Sequence, residues 1–278
     1  MRMSIRHKRA TAFGHSRSPL LPKSGAMTRT ADSHDPAQQA VEDALQRTRR
    51  ALIQTIHVVS AIASRSDRHT ALHQEQVATL AARIGQRLGL EAHRLEGLYL
   101  GALVHDIGKI AVPAELISKP GKLTPEEFAL VKTHVQAGVD MLQNVELPWP
   151  VQMIIGQHHE RLDGSGYPLG LTGAAIAIEA RICAVADVFE AICQPRPYRE
   201  ARGCADALGQ LEQGAGTLYD REAVEALAAL IRQAGADNFW TFIDSAEFSS
   251  TVILPQPASA DLTHATTHGL AAPRHGEA

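Results

Sequence analysis

Apolar residues recur at intervals of three and four through most of the stretch 35–250, the spacing that lines one side of an α-helix. Alternation with period two is confined to Ser249–Leu254. The first helix opens with Asp35 as N-cap, Pro36 at the first helical position and Gln38 completing a capping-box pattern. Val41, Leu45, Leu52, Ile56, Val59 and Ala63 carry it to about residue 64, and so long a stripe can pack on the domain or pair with a second copy of itself. A second helix over 70–88 has Val77, Leu80, Ile84 and Leu88 inside and closes at Gly89. A third over 91–106 has Leu95, Leu98, Ala102 and His105 on one face, and a connection over 111–123 follows it. The motif 124-TPEE-127 starts the next helix, whose buried face is Phe128, Val131, Val135, Gly138 and Met141 or Leu142.

A short helix over 150–160 ends in His158-His159-Glu160, and the glycines of 163-DGSGYPLGL-171 mark a loop. An apolar helix over 174–194, a basic loop 195-PRPYRE-200, helices over 203–213 and 220–234, and an extension over 237–250 complete the pattern. This predicts an all-α domain of about seven or eight helices over 35–250. It lies between a basic leader, 1–34, and an Ala/Thr/His/Pro-rich tail, 251–278, both expected to be disordered.

Composition narrows the function classes. Of the 278 residues 45% are hydrophobic and only 4% aromatic, which favours helices packed through aliphatic side chains. A formal net charge of −3 argues against general nucleic-acid binding. No apolar run reaches the length of a membrane span and no signal-peptide core is present, so neither membrane nor export is expected. Three cysteines without CxxC spacing argue against disulfides and a thiolate zinc site, and for a reducing cytoplasm.

Candidate chemistry centres on 101-GALVHDIGKI-110. His105 and Asp106 stand at the end of an apolar run, and a desolvated carboxylate must be paired, hydrogen-bonded or metal-bound. A lone inward histidine is more often a core residue than a ligand. Here, however, His73 precedes Val77 by one turn, His134 lies between Val131 and Gly138, His158 and His159 end a helix, and Asp187 interrupts an apolar one. Imidazole and carboxylate without thiolate form the donor set for iron, manganese, nickel or zinc, and a bridging carboxylate suits a two-metal hydrolase.

The chain resembles the HD-GYP family, bacterial phosphodiesterases of the HD hydrolase superfamily that degrade cyclic di-GMP. The resemblance rests on 105-HDIGKI-110, 119-KPGKLTPEEF-128, His134, 158-HHE-160, 163-DGSGYP-168, 181-RICAVADVFEAI-192, 196-RPYR-199 and 214-GAGTLYD-220, over about residues 65–234. It implies an HD-domain helical bundle with extra C-terminal helices and two divalent metal ions, iron or manganese. One is held by His73, His105, Asp106 and Asp187, the other by Asp106, His134, His158 and His159. Lys109 would act at the scissile phosphate, and Arg196 and Arg199 would hold substrate phosphates, Arg199 replacing a common lysine. The loop with Gly164, Gly166 and Tyr167 would shape the substrate pocket and dock GGDEF-type diguanylate cyclases, with Tyr167 either stacking on guanine or only packing.

The chain departs from the family pattern at 66-SDRHTALH-73, where His69 could ligate a third metal or face solvent, and at Leu169, where an arginine often follows GYP. Two other readings are an HD phosphohydrolase of another nucleotide and a catalytically silent binding module.

Overall fold

A computed structural model of the chain describes residues 36–63, 70–193 and 203–244. The leader, the tail, Ser249–Leu254, His69, Arg196 and Arg199 therefore lie outside the described residues. Among the described residues eleven α-helices follow in order: α1 Pro36–Ala63, α2 Thr70–Arg87, α3 Ala92–Leu103, α4 Ala114–Ile117, α5 Pro125–Lys132, α6 His134–Leu142, α7 Val151–Gln157, α8 Ile178–Cys193, α9 Gly203–Gln213, α10 Arg221–Ala234 and α11 Phe239–Ile243. Among the described residues β-structure is limited to two isolated bridges, Asp163–Thr172 and Ala215–Tyr219. The all-α expectation holds. The count exceeds the expected eight because one predicted helix is broken into α5 and α6, and short helices form within the predicted connection (α4) and the predicted extension (α11).

The chain divides into two units, residues 1–44 and 45–278. The described part of the first is the exposed opening of α1, where Gln39 donates to Asp43 one turn on (3.0 Å). In the second unit α2 packs on α3 and α8, α7 on α3 and α6, α9 on α8, and α10 on α9 and α2. Leu80 and Ile84 of α2, Leu98 and Leu100 of α3, Ile154 and Ile155 of α7 and Ile182 and Phe189 of α8 are fully buried in one aliphatic core. The α1 face turned to that core is Ile53, Ile56 and Ser60, so part of the predicted stripe, Leu45 and Val59 included, remains exposed.

Buried polar groups fix how the helices meet. The Ser60 hydroxyl lies between Gln74 Oε1 (2.8 Å) and the Leu103 carbonyl (3.0 Å), joining α1 to α2 and to the end of α3. Glu96 of α3 accepts from Arg49 of α1 and from the Trp149 indole (3.1 Å), and buried charge is tolerated only when paired in this way. Arg83 donates to the Ile243 carbonyl (3.1 Å), placing a cation at the C-terminal end of α11.

Three predicted helices differ from the structure at functional positions. The one over 91–106 stops at Leu103, so His105 and Asp106 lie in the turn beyond it instead of on its inner stripe. The one beginning at 124-TPEE-127 breaks at Thr133, whose hydroxyl donates to the Leu130 carbonyl (2.7 Å). Its capping box forms as expected, but Phe128 is exposed because α5 covers the loop after α7 instead of entering the core. The helix over 174–194 starts at Ile178, after a 3-10 turn at Gly173–Ala175.

Phe239 is fully buried and meets Phe189 edge-to-face with centroids 5.4 Å apart, so the last described helix is part of the core. Phe239→Ala is expected to lower unfolding stability by about 3–5 kcal/mol, measured by urea denaturation.

Candidate metal centre

Asp106 occupies the turn between α3 and the 3-10 segment Ile107–Ala111. That segment rests directly on the start of α6. A Cβ on Gly108 would overlap the backbone at His134, so glycine is what lets the turn bring Asp106 up to His134.

His105, His134 and His158 share one local arrangement. In each, Nδ1 meets the carbonyl three residues back: Ala102 (2.7 Å), Val131 (2.7 Å) and Ile155 (2.8 Å). A carbonyl only accepts, so Nδ1 carries the proton, and in the neutral ring Nε2 is left as an electron-pair donor. All three Nε2 atoms, and Asp106 Oδ1, are buried without a hydrogen-bond partner. They face one another. Asp106 Oδ1 lies 3.3 Å from His134 Nε2 and 3.8 Å from His158 Nε2, and Oδ2 lies 3.3 Å from His105 Nε2. Converging electron-pair donors with no proton between them call for a cation.

Two ligand sets share Asp106. The ligating atoms of Asp106, His134, His158 and His159 lie within 4.8 Å of one another, as do those of His73, His105 and Asp106. Asp187 of α8 adjoins the second set, its Oδ1 3.3 Å from His73 Nε2 and 3.9 Å from His105 Nε2. All seven predicted ligand residues therefore converge, and the oxygens of Asp106 address the two sets separately.

The electrostatics suit cation binding. Burial would raise the Asp106 carboxyl, but the Lys109 ammonium on its Oδ2 together with His105 and His134 outweighs burial and holds it well below the usual range. Burial pushes His158 well below its ordinary value and His159 down to about 3, so both are neutral and able to ligate at pH 7. At His73 burial is outweighed by hydrogen bonds to Asp187 and Glu190, which raise it to about 9. In the metal-free protein a proton on Nε2 occupies the contact with Asp187.

Two carboxylates support the ligands, and neither was assigned a role from sequence. Glu190, buried on α8 three residues after Asp187, binds His73 Nδ1 and so turns Nε2 towards Asp187. Glu160, buried just after the histidine pair, accepts from the backbone amides of Leu169 (2.7 Å) and Leu171 (2.9 Å) and ties the loop down. The signal for both was a carboxylate one turn or less from a ligand, for Glu190 within an apolar run.

The loop rests on the site. Tyr167 stacks on His159 (centroids 4.6 Å apart, 27° between planes), and Phe128 meets it edge-on at 6.1 Å. Gly164 has a φ of +82°, and a Cβ on Gly166 would overlap the backbone of His159, Glu160 and Arg161. Gly166 serves close approach of the loop to the chain behind the histidine pair, and Gly164 supplies a left-handed turn within the loop, facing Thr172 and Gly170. Arg181, in the resemblance motif, is not at the site. It pairs with Asp220 (2.6 Å), whose other oxygen caps α10 at the Ala223 amide (3.1 Å).

Two outcomes follow from this geometry. A group with a raised folded pKa adds stability that is complete below its unfolded value and lost as pH climbs through the folded one. The His73 contribution in chelator-treated protein is thus present below about pH 6.5 and lost towards about 9. Urea midpoints should fall across that window, and His73→Gln should flatten the fall. Separately, Glu160→Ala should raise hydrogen exchange over 163–172 by roughly tenfold or more, without global unfolding, since two charge-assisted bonds disappear.

Comparison with known proteins agrees with this geometry. The HD domain family model matches residues 57–223. The chain is 42% identical over 164 residues to the cyclic di-GMP phosphodiesterase response regulator RpfG of Xanthomonas campestris, covering 58% of this chain and 43% of that protein. It is 48% identical over 127 residues to 3'3'-cGAMP-specific phosphodiesterase 1 of Vibrio cholerae, covering 46% of this chain and 30% of that protein. The solved structure of an HDG"Y"P protein from Bdellovibrio bacteriovorus matches with a TM-score of 0.50 at 27% identity, covering 58% of this chain and 52% of that one. The chain thus spans less than half the length of these two curated relatives. The family match takes in every residue of both ligand sets as well as Asp187, and the chain belongs to the HD domain family.

Proposed function

We propose that the chain is an HD-GYP phosphodiesterase that hydrolyses cyclic di-GMP to linear pGpG and, in a second turnover, to GMP. The observation that carries this reading is the shared carboxylate. Asp106 turns one oxygen to His134 and His158 and the other to His105. In this reading His73, His105, Asp106 and Asp187 hold one divalent ion and Asp106, His134, His158 and His159 a second. Iron or manganese suits a donor set of imidazole and carboxylate without thiolate. Such a pair lowers the pKa of water and neutralises charge on a phosphoryl group.

The chain's own residues do the rest. Lys109 brings a partly exposed ammonium to Asp106 Oδ2, within reach of a phosphate at the site, where it offsets charge or protonates the departing 3′-oxygen. Arg196 and Arg199 hold substrate phosphates through planar, fixed-charge donors. Tyr167, stacked on His159, keeps that imidazole in place. The same loop, with Leu169 71% exposed, offers a docking surface for a GGDEF-type cyclase, and the exposed apolar side of α1 suits pairing with a second copy. Among the described residues no helix is long and apolar enough to cross a membrane, in keeping with action in the cytoplasm.

A second substrate is favoured by one observation, the 48% identity to a 3'3'-cGAMP-specific phosphodiesterase. Manganese-loaded protein incubated with each cyclic dinucleotide, with products separated by chromatography, distinguishes the two. The expected result is conversion of cyclic di-GMP to pGpG, loss of turnover to background in Asp106→Asn, and a fall in kcat of roughly a hundredfold or more in Lys109→Ala. Turnover of cGAMP alone would overturn the substrate assignment, and full activity of Asp106→Asn would overturn the metal assignment.

A further inference from the structure

Two of the three cysteines come together. Cys193 is the last residue of α8 and Cys204 the second residue of α9, and these helices pack against each other. The Cys193 thiol donates a hydrogen bond to the Cys204 sulfur. Cys193 is buried and Cys204 only partly so, which gives the pair one sulfur open to solvent and one behind it. Cys183 is fully buried in the core on the same helix and takes no part in the contact.

We infer that Cys193 and Cys204 form a redox couple, closing to a disulfide on exposure to peroxide and reopening with thiol. Two adjacent thiols of unequal exposure are the arrangement of a sensing cysteine with its resolving partner. Hydrogen bonding from the Cys193 sulfur also holds the Cys204 thiol below its ordinary value, which favours the reactive thiolate. The Cys204 thiolate attacks one peroxide oxygen, the O–O bond breaks, and hydroxide leaves and takes up a proton as water. The Cys193 sulfur then attacks the Cys204 sulfenic acid, the S–S bond forms, the S–O bond breaks, and a second water leaves with the Cys193 proton. One peroxide is reduced and two thiols are oxidised. In a reducing compartment such a bond is transient and regulatory.

The position gives the bond a consequence. It would tie the end of α8 to the start of α9, two helices between which the sequence carries Arg196 and Arg199. This consequence, though not the bond itself, rests on the proposed role of those arginines. Oxidation should then weaken substrate binding while the metal ligands stay as they are.

Manganese-loaded protein treated with hydrogen peroxide tests both parts. Titratable thiols should fall from three to one, and tryptic mapping with fragmentation should link Cys193 to Cys204 reversibly by dithiothreitol. KM for cyclic di-GMP should rise roughly tenfold, about one charge-assisted phosphate contact, while turnover of the small diester bis(p-nitrophenyl) phosphate stays constant. Cys204→Ser should abolish both the link and the KM change. Retention of three thiols, or a lone adduct on Cys204 with Cys193 free, would overturn the couple. An unchanged KM in the cross-linked protein would overturn its effect on binding. A protein that forms the link but never turns over cyclic di-GMP would instead count against the proposed substrate.

Discussion

The buried carboxylate of Asp106, surrounded by imidazole nitrogens that carry no proton towards it, is the constraint around which the rest of the molecule is arranged. A carboxylate nearly removed from water is unstable without compensation. Lys109 supplies one positive charge, on Oδ2. Oδ1 has no partner and faces two histidines whose protons point the other way. That makes the cavity a poor resting place for polar groups alone and a good one for cations. The fold keeps it because backbone carbonyls hold His105, His134 and His158, and the Glu190 carboxylate holds His73.

The histidine arrangement shows how a helical protein can build such a site by local means. Helices leave their last carbonyls unpaired. A histidine placed three residues after one of these carbonyls satisfies it through Nδ1 and presents Nε2 outward. The device occurs after α3, across the break between α5 and α6, and after α7. His73 sits inside a helix, where the carbonyls are already used, and takes its orientation from Glu190 on α8 instead. The early end of α3 and the break at Thr133 are thus features of the site.

Glu160 plays the same part for the loop that Glu190 plays for His73. By accepting two backbone amides it converts a glycine-rich segment into a fixed lid over His159, with Tyr167 stacked on the ring. Ligands, loop and α5 therefore form one continuous contact, from Asp106 through His134 and His159 to Tyr167 and Phe128.

Much of this was legible in the sequence alone. The three-and-four spacing of aliphatic residues determined the all-α class and the place of most of the longer helices, because burying one face of a helix demands that pattern. His105, Asp106, His134, His158, His159, His73 and Asp187 stood out because polar groups in apolar runs need a reason to be there. What only the tertiary structure decided depends on distances between segments remote in the chain. That Glu190 belongs to His73, that Glu160 belongs to the loop, and that Cys193 meets Cys204 are facts of packing between elements, to which periodicity is blind. The same holds for Gly108, whose missing side chain matters only because α6 lies against it. Sequence spacing reports which way a residue faces on its own helix, and the three-dimensional fold alone reports what it faces.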